Sequence, residues 1–476
     1  MIALGAGLSD VLTALNNDHN RFPQLDVVYS SQNPLSVPIL VNLPENGIRL
    51  RFDAPEQRLR LIEIIDLSKD RFTVKNESLI TGKDDSTARP SLLYRRVYQL
   101  FGASYPGEYN KPANRAHTGT YVVSYPGIAL SFPLDDSAWS PDVDHAKMLA
   151  TSASAVTSIA IFEGKSWPEA RKGIYTRKSA FPMSLQPVPR HKESMPDELE
   201  MINIVAPGKL ILARRTTSAI TITLHETTAQ DLITDLGAPD AVYKRPGGAT
   251  DLICRRRNAH SRRPSSLVPK NSYGSTPSSV SSANTDTYDA DFEEDDAIDG
   301  PDVVRPEDQY YCYYQHGMDI LLSATAGYRP SVPTLSSAQS KVTRVVIHGN
   351  IPGSYPFNRH RRCRWSLDYV PPTRKQQEGS ITSETDFYSA HPRLLEHFRG
   401  VWPEKDMKEG KVLVRDWNGD SPSGSAILIG EESEEEEDES WDKNKEQWLK
   451  NTRLYKFPDL MFEVMHNGVI SELTVY

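Results

Sequence analysis

Cysteine is scarce in this sequence: its 476 residues hold three, Cys254, Cys312 and Cys363, none in a CxxC pair. That number excludes a disulfide framework and a cysteine-based zinc site, and it fits a reducing compartment. Long apolar runs are also missing. Nowhere do about eighteen consecutive apolar residues occur, as a membrane-spanning helix would need. The first residues, MIALGAGLSDVLTAL, carry no basic leader and are interrupted by Asp10, so a soluble, cytoplasmic chain is expected.

Catalytic signatures are equally sparse. Gly164, Lys165 and Ser166 resemble the end of a phosphate-binding loop, but Ile159 stands where its first glycine should be. Gly5 and Gly7 imitate a dinucleotide fingerprint, yet no strand precedes them and no third glycine follows in register. The twelve histidines include no HExxH and no i, i+4 pair. His316, His348 and His466 fall at strand ends, where a surface or hydrogen-bonded role is the ordinary one rather than metal ligation. No GxSxG occurs, and no cysteine sits in a pattern that suggests an activated thiolate. No catalytic residue, cofactor or metal is expected. An active site assembled from distant residues leaves no local trace, so an enzyme with an unrecognised site stands as an alternative.

The apolar fraction, 38%, is low for a compact chain of this length, and the net charge of -9 is unevenly spread. Residues 284–308 carry eleven acids against one base, and 431–439 carry eight acids in nine residues; outside these two stretches bases outnumber acids by nine. An acidic pair of loops is therefore attached to a mildly basic body. The surrounding segments, 245–308 and 420–450, are rich in serine, proline, glycine and charge, and cannot bury enough apolar surface to offset the entropy of ordering. Both read as disordered insertions.

The remainder repeats. Four times a strand follows a Gly or Asp turn and alternates in one phase: Ile48, Leu50, Phe52; Ile128, Leu130, Phe132; Met318, Ile320, Leu322; Leu460, Phe462, Val464. Alternation of period two buries one side of each strand. Preceding hairpin partners are visible in YVVSYP, YCYYQH and LYKFP, and returning strands in LRLIEII, VTSIAIFEG, VTRVVIHG and VISELTV. In the first returning strand the apolar phase slips between Leu61 and Ile62, which predicts a bulge.

An amphipathic helix precedes each set, with stripes Leu8, Val11, Leu12, Leu15; Leu93, Val97, Leu100, Phe101; Ala229, Leu232, Ile233, Leu236; and Leu394, Leu395, Phe398. Thr228 with Asp231 forms a capping-box pattern. The expected fold is α+β: tandem units of one helix plus antiparallel strands, paired into two domains. These are 1–165 and 199–476, joined by a linker at 166–198, the second interrupted by the insertions 245–308 and 420–450.

One basic feature invites a function. In Arg255 to Arg263 (RRRNAHSRR), Arg255, Arg256, Arg257, Arg262 and Arg263 could contact anionic phospholipid, or could compensate the acidic block of the same loop. No aromatic side chain is interleaved to stack on bases, so nucleic acid is not an expected partner. Peripheral membrane binding through this loop is the second alternative function.

Five blocks resemble the phagosome assembly factor family: Val27 to Lys69, Phe101 to Asn110, Tyr310 to Ser323, Arg344 to Trp365 and Leu460 to Tyr476. They occur in order from end to end. The resemblance implies a non-enzymatic autophagy adaptor that binds a WD40 propeller protein, the breast carcinoma-amplified sequence partner of animal members. It further implies indirect association with phosphoinositide membrane and localisation to the phagophore assembly site. No catalytic residue is implied. Within these blocks PGxY occurs twice, ending at Tyr109 and Tyr355. The Pro-Gly pairs suit type II turns, while Tyr109, Tyr355 and Phe357 offer the aromatics that interface hot spots favour. Asn33, Pro34 and Leu35 form an expected exposed loop after Tyr29. These six residues are the candidate partner surface.

Overall fold

A computed structural model describes residues 2–70, 72–74, 76–80, 92–104, 107–111, 118–141, 143, 147–149, 154–175, 197–244, 308–324, 340–371, 379–414, 427–429 and 452–476. Within them the chain is α+β. An eight-stranded antiparallel sheet runs in the order Asp26–Val28, Ile39–Leu43, Ile48–Phe52, Leu59–Ile64, Ser158–Phe162, Ile128–Asp135, Thr118–Tyr125, Glu108–Asn110. A nine-stranded antiparallel sheet runs Ala241–Lys244, Gln309–Tyr313, Met318–Ala324, Ser340–His348, Ile470–Val475, Leu460–Met465, Thr452–Lys456, Lys411–Val414, Ile427–Ile429.

Each sheet is two copies of one unit joined at their returning strands. Ile62 stands opposite Ile161 at the centre of the first sheet, and Val345 opposite Val475 at the centre of the second. A returning strand left alone would be an open edge with unpaired backbone groups, and pairing two units removes it. The repeated apolar phase is the buried side: Leu50, Phe52, Leu130, Phe132, Ile320, Leu322, Phe462 and Val464 are all buried.

The helices cover these buried sides. Leu8–Asn17 buries Leu8, Val11, Leu12 and Leu15, as its spacing predicts. Tyr94–Phe101 buries Tyr94 and Val97, and Ala229–Leu236 buries Ala229, Leu232 and Leu236 while Ile233 stays exposed. The Thr228 capping box forms: Thr228 Oγ1 accepts from the Asp231 backbone at 3.2 Å, and Asp231 Oδ2 accepts from the Thr228 backbone at 2.9 Å. The fourth helix, Phe387–His397, starts earlier than its apolar stripe suggests, with the Asp386 side chain capping the Ser389 N–H. Pro392 lies inside it.

Three features differ from the sequence expectation. The bulge of the first returning strand falls at Arg60, where pairing shifts between Arg51–Leu61 and Phe52–Leu59. The extra residue turns Arg60 inward, and its Nε meets Asp53 Oδ2 at 2.5 Å. A third, five-stranded sheet runs Ile220–Thr223, Lys209–Arg214, Leu199–Ala206, Trp365–Leu367, Ile381–Thr382, with Leu199–Ala206 parallel to Trp365–Leu367. It packs on the nine-stranded sheet in one continuous core that includes Ile202, Leu212, Trp365, Ile320 and Phe462. Finally, Ile427–Ile429, inside the second expected insertion, pairs with Lys411–Val414, as its β-branched apolar composition favours. Otherwise the two expected insertions lie outside the described residues, apart from Asp308.

Candidate functional site

Two loops meet between the eight-stranded sheet and the rest of the chain. One, Asp53–Arg58, is the turn between the strands Ile48–Phe52 and Leu59–Ile64. The other, Gly349–Arg364, joins the strands Ser340–His348 and Trp365–Leu367. Each is fixed by its own sequence. Asp53 caps its turn by accepting from the Glu56 backbone at 2.7 Å. Gln57 and Asn350 both take the left-handed conformation, with φ of 53° and 48°, which Asn tolerates better than most residues.

The contact between these loops is polar and buried. Gln57 Nε2 donates to the Asn350 carbonyl at 2.6 Å, and Asn350 Nδ2 donates to Gln57 Oε1 at 2.9 Å. Around this pair the run Arg361, Arg362 and Arg364 distributes its guanidinium groups. Arg361 reaches both oxygens of Asp10, at 2.7 and 2.6 Å, and Glu198 at 3.1 Å. Glu198 is also held in a fork by Arg58, at 3.0 and 2.8 Å. Arg362 donates to the carbonyls of Pro55 and Gly349, at 2.5 and 2.6 Å. Arg364 donates to Glu384 at 2.7 Å and faces Glu56 at 3.4 Å.

Burial alone would raise the Glu198 pKa. The hydrogen bonds and charge of Arg58, with the charges of Arg361 and Arg215, outweigh it and hold the carboxyl below its ordinary value. Arg362 moves the other way, its pKa lowered chiefly by burial, although a guanidinium so placed stays charged. Interlocked charge of this kind favours one geometry over others, because any displacement strands a desolvated ion.

The same loop builds a second cluster. Gly317 turns the hairpin between Gln309–Tyr313 and Met318–Ala324 with φ of +71°, and a Cβ there would lie 2.2 Å from the Arg361 carbonyl. This close approach brings His360 to Asp319 on the neighbouring strand, with Nε2 3.0 Å from Oδ1. His348 Nε2 meets the other oxygen, Oδ2, at 3.0 Å, and His348 Nδ1 meets Glu472 Oε1 at 3.1 Å. The two imidazoles stack, with centroids 3.8 Å apart.

His348 and His360 are both buried, yet their affinities for protons diverge. Burial works against His348, but hydrogen bonds to Asp319 and Glu472 and their charges overcome it and raise its pKa to about 9. His360 is lowered, first by burial and also by the charge of His348. Asp319 is held well below the usual carboxylate range, since its hydrogen bonds and charge contacts with the two histidines outweigh burial. Cys312, opposite Asp319 in the hairpin, is pushed up by burial and by that carboxylate, the reverse of what an activated thiolate needs.

The candidate partner residues separate into two places. Pro34 is buried, and Leu35 packs on Ile351, Met465 and Val469; Asn33 stays exposed and shapes this loop through its backbone. Phe357 packs against Tyr29, with ring centroids 6.5 Å apart, and joins the core of the first helix. Tyr355 is half-buried in the same Gly349–Arg364 loop. These five therefore gather where the two halves meet. Tyr109 lies elsewhere, on the edge strand Glu108–Asn110, stacked on Trp139 at 5.2 Å and donating to Asp136 at 3.1 Å. Arg255, Arg256, Arg257, Arg262 and Arg263 lie outside the described residues.

Sequence reasoning named Tyr355 and Phe357 in this joint but passed over its ion pairs and the Gln57–Asn350 contact, although the basic run from Arg359 to Arg364 and the turn Asp53–Arg58 both lie inside blocks that carry the family resemblance. The available signal was a dense basic run leading directly into the apolar strand Trp365–Leu367, where a solvated charged loop is not expected to end.

Comparison with known proteins gives a consistent result. The family model for Phagosome assembly factor 1 matches residues 1–253 and 299–476. A PHAF1 protein of Arabidopsis thaliana is 22% identical over all of this chain and 90% of its own length. A Drosophila melanogaster PHAF1 protein is 21% identical over 99% of this chain and 90% of its own. One from Caenorhabditis elegans is 21% identical over 81% of this chain and 78% of its own. No solved structure matches. Among the described residues no helix is long and apolar enough to cross a membrane.

Proposed function

The chain belongs to the phagosome assembly factor 1 family, and from that premise we propose that it is a non-enzymatic adaptor that binds a WD40 propeller protein and is recruited with it to sites of autophagosome formation. Family membership fits a phagosome- or autophagy-related role, and the family is named for assembly rather than for a reaction. The observation that carries the reading is the extent of the match, which takes in both sheets and the loops that join them.

The proposed partner surface is the outer edge at Tyr109 together with the rim of the joint around Asn33, Pro34, Leu35, Tyr355 and Phe357. The Arg255 to Arg263 run falls within 254–298, the one segment the family model leaves unmatched. Whatever that run does, the resemblance to the family does not rest on it. The adaptor reading is therefore favoured over direct lipid binding through the arginines.

Affinity purification of the tagged full chain from its native cells, with identification of co-purifying chains, tests the proposal. A propeller protein recovered in stoichiometric amount is the expected result. Its absence, combined with flotation of the purified chain on anionic liposomes that is lost on deleting 255–263, replaces the adaptor with a lipid binder.

A further inference from the structure

We propose that Asp319, His348 and His360 form a binding site for a divalent first-row transition cation, with zinc the ion that suits them best. The three ligand atoms lie within 4.8 Å of one another. Both histidine Nε2 atoms sit side by side on the Asp319 carboxylate, each 3.0 Å from one of its oxygens. Zinc bonds of about 2.0–2.2 Å to imidazole nitrogen and carboxylate oxygen place ligands roughly 3.3 Å apart at the edges of a tetrahedron. The two carboxylate–imidazole separations need to widen by only a few tenths of an ångström, and the imidazoles, stacked at an interplanar angle of 17°, must turn out of their stack for both Nε2 lone pairs to meet on one ion.

Three further features support a cation. His348 Nδ1 faces Glu472 at 3.1 Å, the carboxylate–histidine arrangement that fixes a metal-binding tautomer and leaves Nε2 with its lone pair towards the ion. A dication would also offset the negative charges of the Asp319 and Glu472 carboxylates. Asp319 keeps 19% of its side chain exposed, which gives the ion an entry path and room for a water as fourth ligand.

The consequence is mechanical. His348 ends a central strand, His360 lies in the Gly349–Arg364 loop, and Asp319 lies on the hairpin beneath. One ion would fasten the loop whose Asn350, Arg361, Arg362 and Arg364 hold the two halves together.

The test uses the purified full chain, freed of metal by chelation and titrated with zinc against a chromophoric chelator, with metal content read by mass spectrometry. One zinc per chain is expected. Glu472→Gln should weaken binding about 10- to 100-fold, His348→Ala and His360→Ala should abolish it, and His466→Ala should leave it unchanged. Cobalt provides a reading that needs no variant: the folded wild-type chain should develop the visible absorption of a four-coordinate cobalt site. Absence of both stoichiometric zinc and that absorption from folded wild-type protein overturns the proposal, as does zinc binding that survives His348→Ala with His360→Ala.

Discussion

Gln57 and Asn350, 293 positions apart, exchange side-chain and backbone hydrogen bonds while 2% and 1% exposed. Neither belongs to a strand or a helix. Their pairing joins a turn of the first sheet to a loop of the second, and Asn350 Oδ1 additionally accepts from the Asn358 backbone at 2.7 Å. The contact is buried, directional and specific in length.

Gln57→Ala should therefore destabilise the chain by about 1–3 kcal/mol, because it leaves the buried Asn350 amide without a partner. Asn350→Ala should cost at least as much, since it also releases the Asn358 backbone. Urea denaturation of both single variants and the double variant checks this. The pair is shown to act as a unit if the double variant costs less than the sum of the singles by about 0.5 kcal/mol or more.

Acid should loosen the same joint. Glu198 and Glu384 are both held below their ordinary values, burial being outweighed by Arg58, Arg361 and Arg215 around the first and by Arg362 and Arg364 around the second. A carboxyl whose folded pKa lies below its unfolded value of about 4.3 contributes stability above that pH and loses it as pH falls towards the folded value. The contribution of these two carboxyls to the urea midpoint should hold steady from neutral pH to about pH 5 and fall steeply below about pH 4.5. Glu198→Gln should lower the neutral plateau and flatten the acid limb; an unchanged limb would show that Glu198 is not a main contributor.

How much of this was legible beforehand follows from the physics of each part. The four units could be read because burying one side of a strand imposes period two on residues such as Leu130 and Phe132, and burying one side of a helix imposes the Leu8, Val11, Leu12, Leu15 stripe. The capping box at Thr228 is local within four residues, so it too was readable. The joint's ion pairs were not. Asp10 and Arg361 are 351 positions apart, and charged residues in loops have no periodicity. Arg362 looks like any surface arginine until the carbonyls of Pro55 and Gly349 are seen around it. The Asp319, His348, His360 cluster likewise draws on two strands and a loop, so no spacing motif exists to be found.

Gly317 offers a sharper test of that cluster than its own histidines do. Its φ of +71° disfavours any side chain, and a Cβ would also meet the Arg361 carbonyl at 2.2 Å and Cys363 Cβ at 2.8 Å. Gly102 has φ of +81° with nothing within 4 Å. Gly102, at φ 81° and ψ -151°, occupies a region essentially open only to glycine, so Gly102→Ala should cost about 1–3 kcal/mol, the backbone penalty alone. Gly317→Ala must also push the 349–364 loop away, so its loss in the same urea experiment should be clearly larger. Equal losses would mean that the loop yields freely at this contact.

Tyr109 and the pair Tyr355, Phe357 should behave differently although all three were expected on one partner surface. Tyr109 sits on an outer edge strand and is held by Trp139 and Asp136, so Tyr109→Ala removes one aromatic pair, worth about 1 kcal/mol, and leaves the chain folded. Phe357 packs into the joint against Tyr29, and Tyr355→Ala with Phe357→Ala should cost about 2 kcal/mol or more. Loss of a co-purifying propeller protein from Tyr109→Ala, at nearly unchanged thermal midpoint, would locate docking at the edge strand. Loss from the double variant has to be read at a temperature where circular dichroism shows it folded. If both variants retain the partner under that condition, the docking residues lie elsewhere on the chain.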